Sequence, residues 1–416
     1  MVGNALTLIA PIKSSDDAAA LKTFLEGIGQ DIRGNPHVDF SKLATTHFLR
    51  WVVVDRDPDF PPQLAFESNH DGTLDQHLDE LIAVCGPMLD RIYGRCEGYP
   101  AAGVAQPAQV KAYLKAHAIP YAAFYQAYPD RTVKEIQENT AIVEEIQKYL
   151  DEHRAALANR PPEEIHRAVA EHLKQRGLPL SPPAASQVTR TEKAVRFFLN
   201  RRTLTGLLAL PLLGLLSPYL LLLLLRELLD KPAPKKVDNV DKALLAKEDW
   251  LVQNQLTHLV TVKPGALRLY TLKTVLRAIE FLARTYYNQG ELGGIPTIHF
   301  ARWALIDGGK RLLFFSNYDG SWENYLGDFI DRASVGLTGV WSNTLGFPKT
   351  LLLVFKGARH EDAFKQWTRD HQIPTQVWYS AHASESVQNI LNNVAIRAQL
   401  APSPTPEQAR AWLARL

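Results

Sequence analysis

His47-Phe48-Leu49-Arg50-Trp51 returns later in the chain as His299-Phe300-Ala301-Arg302-Trp303. Downstream of each copy, Phe66-Glu67-Ser68-Asn69-His70-Asp71-Gly72 returns as Phe314-Phe315-Ser316-Asn317-Tyr318-Asp319-Gly320. His117-Ala118-Ile119-Pro120 then returns as His371-Gln372-Ile373-Pro374. Residues 63–100 align without a gap on 311–348, and 117–142 on 371–396, with six extra residues between these blocks in the second copy. A repeat of about 150 residues is a normal domain length and fixes the architecture before any local reading.

Periodicity within one copy gives a strand over 5–12, a helix over 17–32, strands at 48–54 and 63–66, a helix from 74, a strand at 121–125 and a helix over 131–150. The second copy repeats the order. Its strands fall at 256–262, 298–306 and 311–315, and its helices at 268–285, 322–332 and 384–397. Its last strand is either 350–355 or 375–380. This β-α-β-β-α-β order is ferredoxin-like. The expected fold is therefore α+β: a tandem duplication of a ferredoxin-like domain whose two sheets face each other as an intrachain pseudo-dimeric barrel. The segments are repeat 1 (1–150), a helical Pro-rich connector (151–203), an apolar segment (204–226), a linker (227–246), repeat 2 (247–400) and a helical tail (401–416).

In element order and duplication the chain resembles the dimeric α+β barrel superfamily, which includes dye-decolorising peroxidases and chlorite dismutases. Peroxidases of that kind carry a Gly-x-x-Asp-Gly loop whose Asp acts beside a haem. Ser68-Asn69-His70-Asp71-Gly72 and Ser316-Asn317-Tyr318-Asp319-Gly320 are similar, with Ser at the first position. The resemblance implies haem as cofactor, held in the C-terminal half by a neutral histidine, which nominates His382, His299 and His371. It implies Arg302 and Asp319 as catalytic groups, with Arg302 polarising a bound peroxide. The loop 334–348, with Gly336, Gly339 and Gly346, is expected to approach a flat ligand closely.

The residues also support a structural reading of the same motifs. A group needed by the fold recurs in both halves, whereas a pseudo-twofold enzyme needs one site. His47, Leu49 and Trp51 share one face of a strand by alternation, and Phe48 and Arg50 the other. Asp-Gly followed by Thr73 or Ser321 reads as a turn and helix cap. Positions where the copies disagree are then the better functional candidates: His70 against Tyr318, His77 against Tyr325, Tyr128 against His382. No metal site is expected; His166 and His172 are six apart on a helix, a poor spacing for one ion.

Residues 204–225 carry no charge. As a straight helix they would measure roughly 33 Å, enough to cross a bilayer core. Arg190, Lys193, Arg196, Arg201 and Arg202 precede the stretch, and Arg226, Lys231, Lys235 and Lys236 follow it. Basic residues at both ends, with Pro211 and Pro218 inside, favour a shallow re-entrant or interfacial anchor over a span, with both main domains on the cytoplasmic side. Residues 190–236 are the expected lipid contact.

A net charge of +2 gives no bulk case for nucleic acid. Two cysteines, Cys85 and Cys96, face Ala333 and Thr344 in the other copy, so no disulfide framework is expected. The N-terminal residues lack the pattern of a secretory signal. Two functions follow: a membrane-associated, peroxidase-like oxidoreductase acting on a hydrophobic substrate, or a non-catalytic membrane-anchored binding or scaffold protein that takes an apolar ligand or a protein partner. Homo-oligomerisation is open to either.

Overall fold

The computed structural model describes residues 3–182, 188–200, 202–230, 248, 252–351, 355–400 and 403–416, with only the backbone described over 202–213. The linker Lys231-Pro232-Ala233-Pro234-Lys235-Lys236 lies outside these residues.

The protein is α+β with antiparallel sheets. The first sheet is built on β1 (Gly3–Pro11), β2 (Thr46–Val54) and β3 (Gln63–Asp71), and the second on β6 (Gln253–Thr261), β7 (Ile298–Ile306) and β8 (Arg311–Asp319). Short strands complete them. β4 (Ala118–Ile119) pairs with β1; β5 (Ala123–Gln126) lies in the second sheet beside β7; β11 (Val377–Ser380) lies in the first beside β2. Each half of the sequence therefore lends its last strand to the other half's sheet. The expected second-copy strand resolves to Val377–Ser380. Thr350–Leu351 and Phe355–Lys356 form a separate small pair, β9 and β10.

The registers repeat. Phe48 pairs with Asn69 and Phe300 with Asn317, and in both sheets the ladder slips one residue earlier, at His47 and at His299. Ala123 pairs with Trp303 as Val377 pairs with Trp51.

Alternation then assigns the faces. Leu49, Trp51, Leu64 and Phe66 point outward onto helices Ser15–Gln30 and Leu74–Tyr93. Trp303, Phe314 and Leu256 point onto helices Ala266–Thr285, Trp322–Arg332 and Ser334–Trp341. The inward faces meet: Val52, Val54 and Ala65 of the first sheet pack on Leu313 and Phe315 of the second. The layers run helix, sheet, sheet, helix. Apolar burial on both faces of each sheet is the main stabilising term.

Helices Val133–Glu152 and Val387–Ala398, which follow the exchanged strands, pack on each other. The connector helix Pro162–Gln175 and tail helix Pro406–Leu413 join them through Ile142, Val169, Leu173, Ile396 and Trp412. The tail helix opens with Thr405 in a capping box and Pro406 in its first turn. Helices Pro107–Ala116 and Glu361–His371 were not expected from the periodicity.

Helix Arg202–Leu228 runs unbroken through Pro211 and Pro218, so the interruption expected there is absent. A proline inside a helix removes one backbone bond and need not end it; Pro87 does the same inside Leu74–Tyr93. Among the described residues no helix is long and apolar enough to cross a membrane. The helix lies on Ala266–Thr285, where Tyr219 Oη and Thr271 Oγ1 are 2.6 Å apart. Leu223 is buried, while Leu215, Leu221, Leu225 and Leu229 are exposed, Leu215 to 78%. Cys85 and Cys96 are buried free thiols, their pKa pushed up to about 12 by burial.

Candidate functional site

The repeated motifs converge between the sheets. At each bulge the extra residue turns inward, where strict alternation would have placed it with Leu49 and Trp51 against the helices. His47 thus meets Phe300 and His382 rather than the outer core. Its Nε2 lies 3.0 Å from Asp71 Oδ1, and His299 Nε2 lies 2.7 Å from Asp319 Oδ1. Each carboxylate uses its other oxygen to accept a first-turn helix N–H, Val133 N at 2.8 Å for Asp71 and Val387 N at 2.8 Å for Asp319. Thr132 and Ser386 cap the same two helices. The aspartates therefore join β3 and β8 to the helices beyond the exchanged strands, and satisfy N–H groups that otherwise have no partner.

The two halves differ at the other histidine nitrogen. Tyr128 Oη is 2.7 Å from His299 Nδ1. His382, the residue aligned with Tyr128, places Nε2 3.3 Å from His47 Nδ1. One tautomer assignment satisfies the whole network. With Nε2–H of each motif histidine donating to its carboxylate, Nδ1 accepts from Tyr128 on one side and from His382 on the other. His382 Nδ1 then has a long, shared contact with the Gln253 amide nitrogen, 3.5 Å away, whose two hydrogens are directed to the His382 and Glu385 carbonyls. Burial holds His382 well below its ordinary pKa, with His47 and His299 adding to the effect. Burial also pushes the Tyr128 phenol well above its usual value, followed by Asp319.

Beyond the histidines lie two buried arginines. Arg50 crosses to the second sheet and donates to the Leu256 carbonyl at 2.9 Å and the Ser316 carbonyl at 3.0 Å. Arg302 crosses the other way, donating to the Leu6 carbonyl, to Thr7 Oγ1 at 2.8 Å and to the Ser68 carbonyl at 2.8 Å. One carboxylate serves both: Glu67 is 2.7 Å from Arg50 Nε and 3.1 Å from Arg302 Nη2. Its counterpart in the other half is Phe315, so a charge-balancing residue occurs once. Burial pulls the Arg302 pKa down to about 10 against the opposing pull of Glu67.

The other divergent pair is also internal. His70 and His77 stack at 3.9 Å, and their counterparts Tyr318 and Tyr325 stack at 3.8 Å. Ser68 Oγ lies 2.7 Å from His77 Nε2, as Ser316 Oγ lies 2.6 Å from Tyr325 Oη. Desolvation lowers the His70 pKa to about 2 and the His77 pKa to about 3.

Of the nominated haem ligands, His299 and His382 have both ring nitrogens engaged in this network and do not fit an iron ligand. Arg302 and Asp319 are buried, with both Arg302 Nη atoms and both Asp319 oxygens engaged by backbone and side-chain partners, and neither lines the cleft beside His371. His371 differs. Its Nδ1 contacts the Trp367 carbonyl at 2.8 Å, and the residue lines a cleft of about 690 Å³ with Leu345, Gly346, Phe347 and Lys349. Gly346, at φ +72°, lies against Trp367 and His371 and lines the same cleft. Among the described residues no group of three or more His, Cys, Asp or Glu is placed to hold a metal ion. His166 bonds the Gln399 carbonyl and His172 bonds Glu145.

Sequence reasoning missed Glu67 and Gln253. Glu67 had a signal, because it stands opposite Phe315 inside an otherwise matched block. Comparison with known proteins finds no family model that matches the chain, no curated protein that matches its sequence and no solved structure that matches it.

Proposed function

We propose that this chain is a non-catalytic, membrane-surface binding or scaffold protein, anchored on the cytoplasmic side through residues 190–230. In this reading the two halves are a tandem duplication closed into an intrachain pseudo-dimeric barrel, supported by their matched registers and bulges. The repeated His, Arg and Asp residues lock the halves together. The observation that carries the reading is the exposed apolar side chains between Leu215 and Leu228, with Phe197 and Phe198 also exposed on helix Arg190–Asn200. An exposed patch of this kind flanked by Arg196 and Arg226 suits a lipid interface.

Flotation of the full-length chain with phosphatidylcholine vesicles tests it. Burying a leucine is worth roughly 1.5–3 kcal/mol, so Leu215→Gln/Leu221→Gln/Leu225→Gln is expected to weaken binding at least a hundredfold. Unchanged flotation of the triple variant would sink the reading.

A second reading, a haem-dependent peroxidase-like oxidoreductase acting on a hydrophobic substrate, rests on His371 facing the cleft. It predicts a Soret band after expression with haem precursor, lost in His371→Ala and kept in His299→Ala. A spectrum without that band removes it.

A further inference from the structure

The cleft beside His371 forms where the apolar helix ends. Arg226, Glu227 and Asp230 make one wall, Lys263 and Pro264 another, and the loop from Leu345 to Thr350 a third. Gly265, at φ +108°, opens the 20-residue helix Ala266–Thr285 with no side-chain cap, and Pro264 before it and Arg268 in its first turn line the cleft, so the positive end of that helix lies beside it. Arg268 stands in its first turn and is 4% exposed. Its Nη2 donates to Asp230 Oδ2 at 2.6 Å, and its Nη1 is buried with no partner. Lys263 Nζ donates to the same Asp230 oxygen at 2.7 Å and to the Ser342 carbonyl at 2.8 Å.

The charges do not balance. Arg226, Lys263, Arg268 and Lys349 line the cleft against Glu227 and Asp230. Both acids are engaged, Asp230 with Lys263 and Arg268, and Glu227 with the Thr350 hydroxyl. A buried guanidinium N–H without an acceptor is costly, and a small movement of the Arg268 side chain, which lines the cleft, would bring it to an oxyanion there.

We infer that this cleft binds a phosphate-bearing anion, taken by Arg268, Lys349, Arg226 and the N-terminus of helix Ala266–Thr285. The anion is either a lipid headgroup phosphate or a soluble phosphate compound. Only the lipid arm rests on the membrane reading. Beside an apolar helix end, such a site would select anionic lipid.

The test uses the full-length chain in detergent, titrated calorimetrically with inorganic phosphate, and flotation with phosphatidylcholine vesicles with or without phosphatidic acid. Arg226→Gln/Lys349→Gln leaves the Asp230 pairs intact. At about fivefold per cation, it is expected to weaken phosphate binding about 25-fold. Arg268→Lys, which keeps the charge but not the fork, is expected to weaken phosphate binding as well. A gain with phosphatidic acid that the double variant loses assigns the headgroup. Phosphate binding with no such gain assigns a soluble phosphate compound. No phosphate binding and no phosphatidic acid gain, or equal binding by parent and double variant, overturns the site. Phosphate binding kept while every vesicle arm fails would instead overturn the membrane reading.

Discussion

Glu67 sits buried between two guanidiniums in the space between the sheets, where one carboxylate compensates two charges. Removing one member of a buried ion group costs about 3–5 kcal/mol because its partners stay buried and uncompensated. Glu67→Gln is therefore expected to lower the unfolding free energy by about that amount in urea titrations. A loss under about 1 kcal/mol would mean that the backbone carbonyls around Arg50 and Arg302 already suffice. His382 offers a different test, because the chain contains its own control. Tyr128 performs the equivalent task in the other half, so His382→Tyr keeps a donor for His47. His382→Ala leaves His47 and Gln253 without their partner and opens a cavity, for a loss of about 3 kcal/mol. The tyrosine variant is expected to cost less than half as much; equal losses would refute the equivalence of the two positions.

At the scale of elements, β3 with helix Leu74–Tyr93 and β8 with helix Trp322–Arg332 solve one packing problem with different chemistry. The first uses stacked histidines and the second stacked tyrosines. Folded His70 and His77, with pKa values of about 2 and about 3, stay neutral in mild acid, whereas in the unfolded chain they take up protons below about 6.5. Unfolding then binds protons, so stability falls as pH drops from about 6.5 towards about 3, by up to about 1.4 kcal/mol per pH unit for each histidine. His70→Tyr/His77→Tyr should remove this component. Between pH 7 and 5 the double variant is expected to lose roughly 4 kcal/mol less than its parent, read from urea midpoints, and parallel losses would show the pair to be accessible to protons. Elements of this kind were legible because Leu78, Leu81 and their equivalents keep helical spacing and Leu49, Trp51 and Val53 alternate. The inward turn of His47 was not, because a bulge is a property of the pairing and leaves no mark in a strand's own pattern. The meeting of Tyr128 with His299 depended on which sheet each last strand joins. Ala123–Gln126 and Val377–Ser380 occupy the same register on β7 and β2, so local pattern favours neither partner.

For the whole molecule, the exchanged strands mean that neither half owns a complete sheet. Residues 1–182 and 248–416, expressed apart, would each expose a strand edge that is paired in the intact chain. Separate fragments are expected to aggregate or self-associate, and co-expressed fragments to form a one-to-one complex, by size exclusion with light scattering. Monomeric, fully folded fragments would show that the exchange is dispensable. The same exchange sets a timetable during synthesis. Thr46–Val54 leaves the ribosome long before Val377–Ser380, and at about 5–20 residues per second the delay is tens of seconds. Throughout that interval the edge of β2 has no neighbour, and the apolar stretch after Arg202 emerges within it. The nascent chain must pass through a period in which an open strand edge and a leucine-rich helix are exposed together, so its yield in the cell is governed by what shields those two surfaces until the last strand arrives.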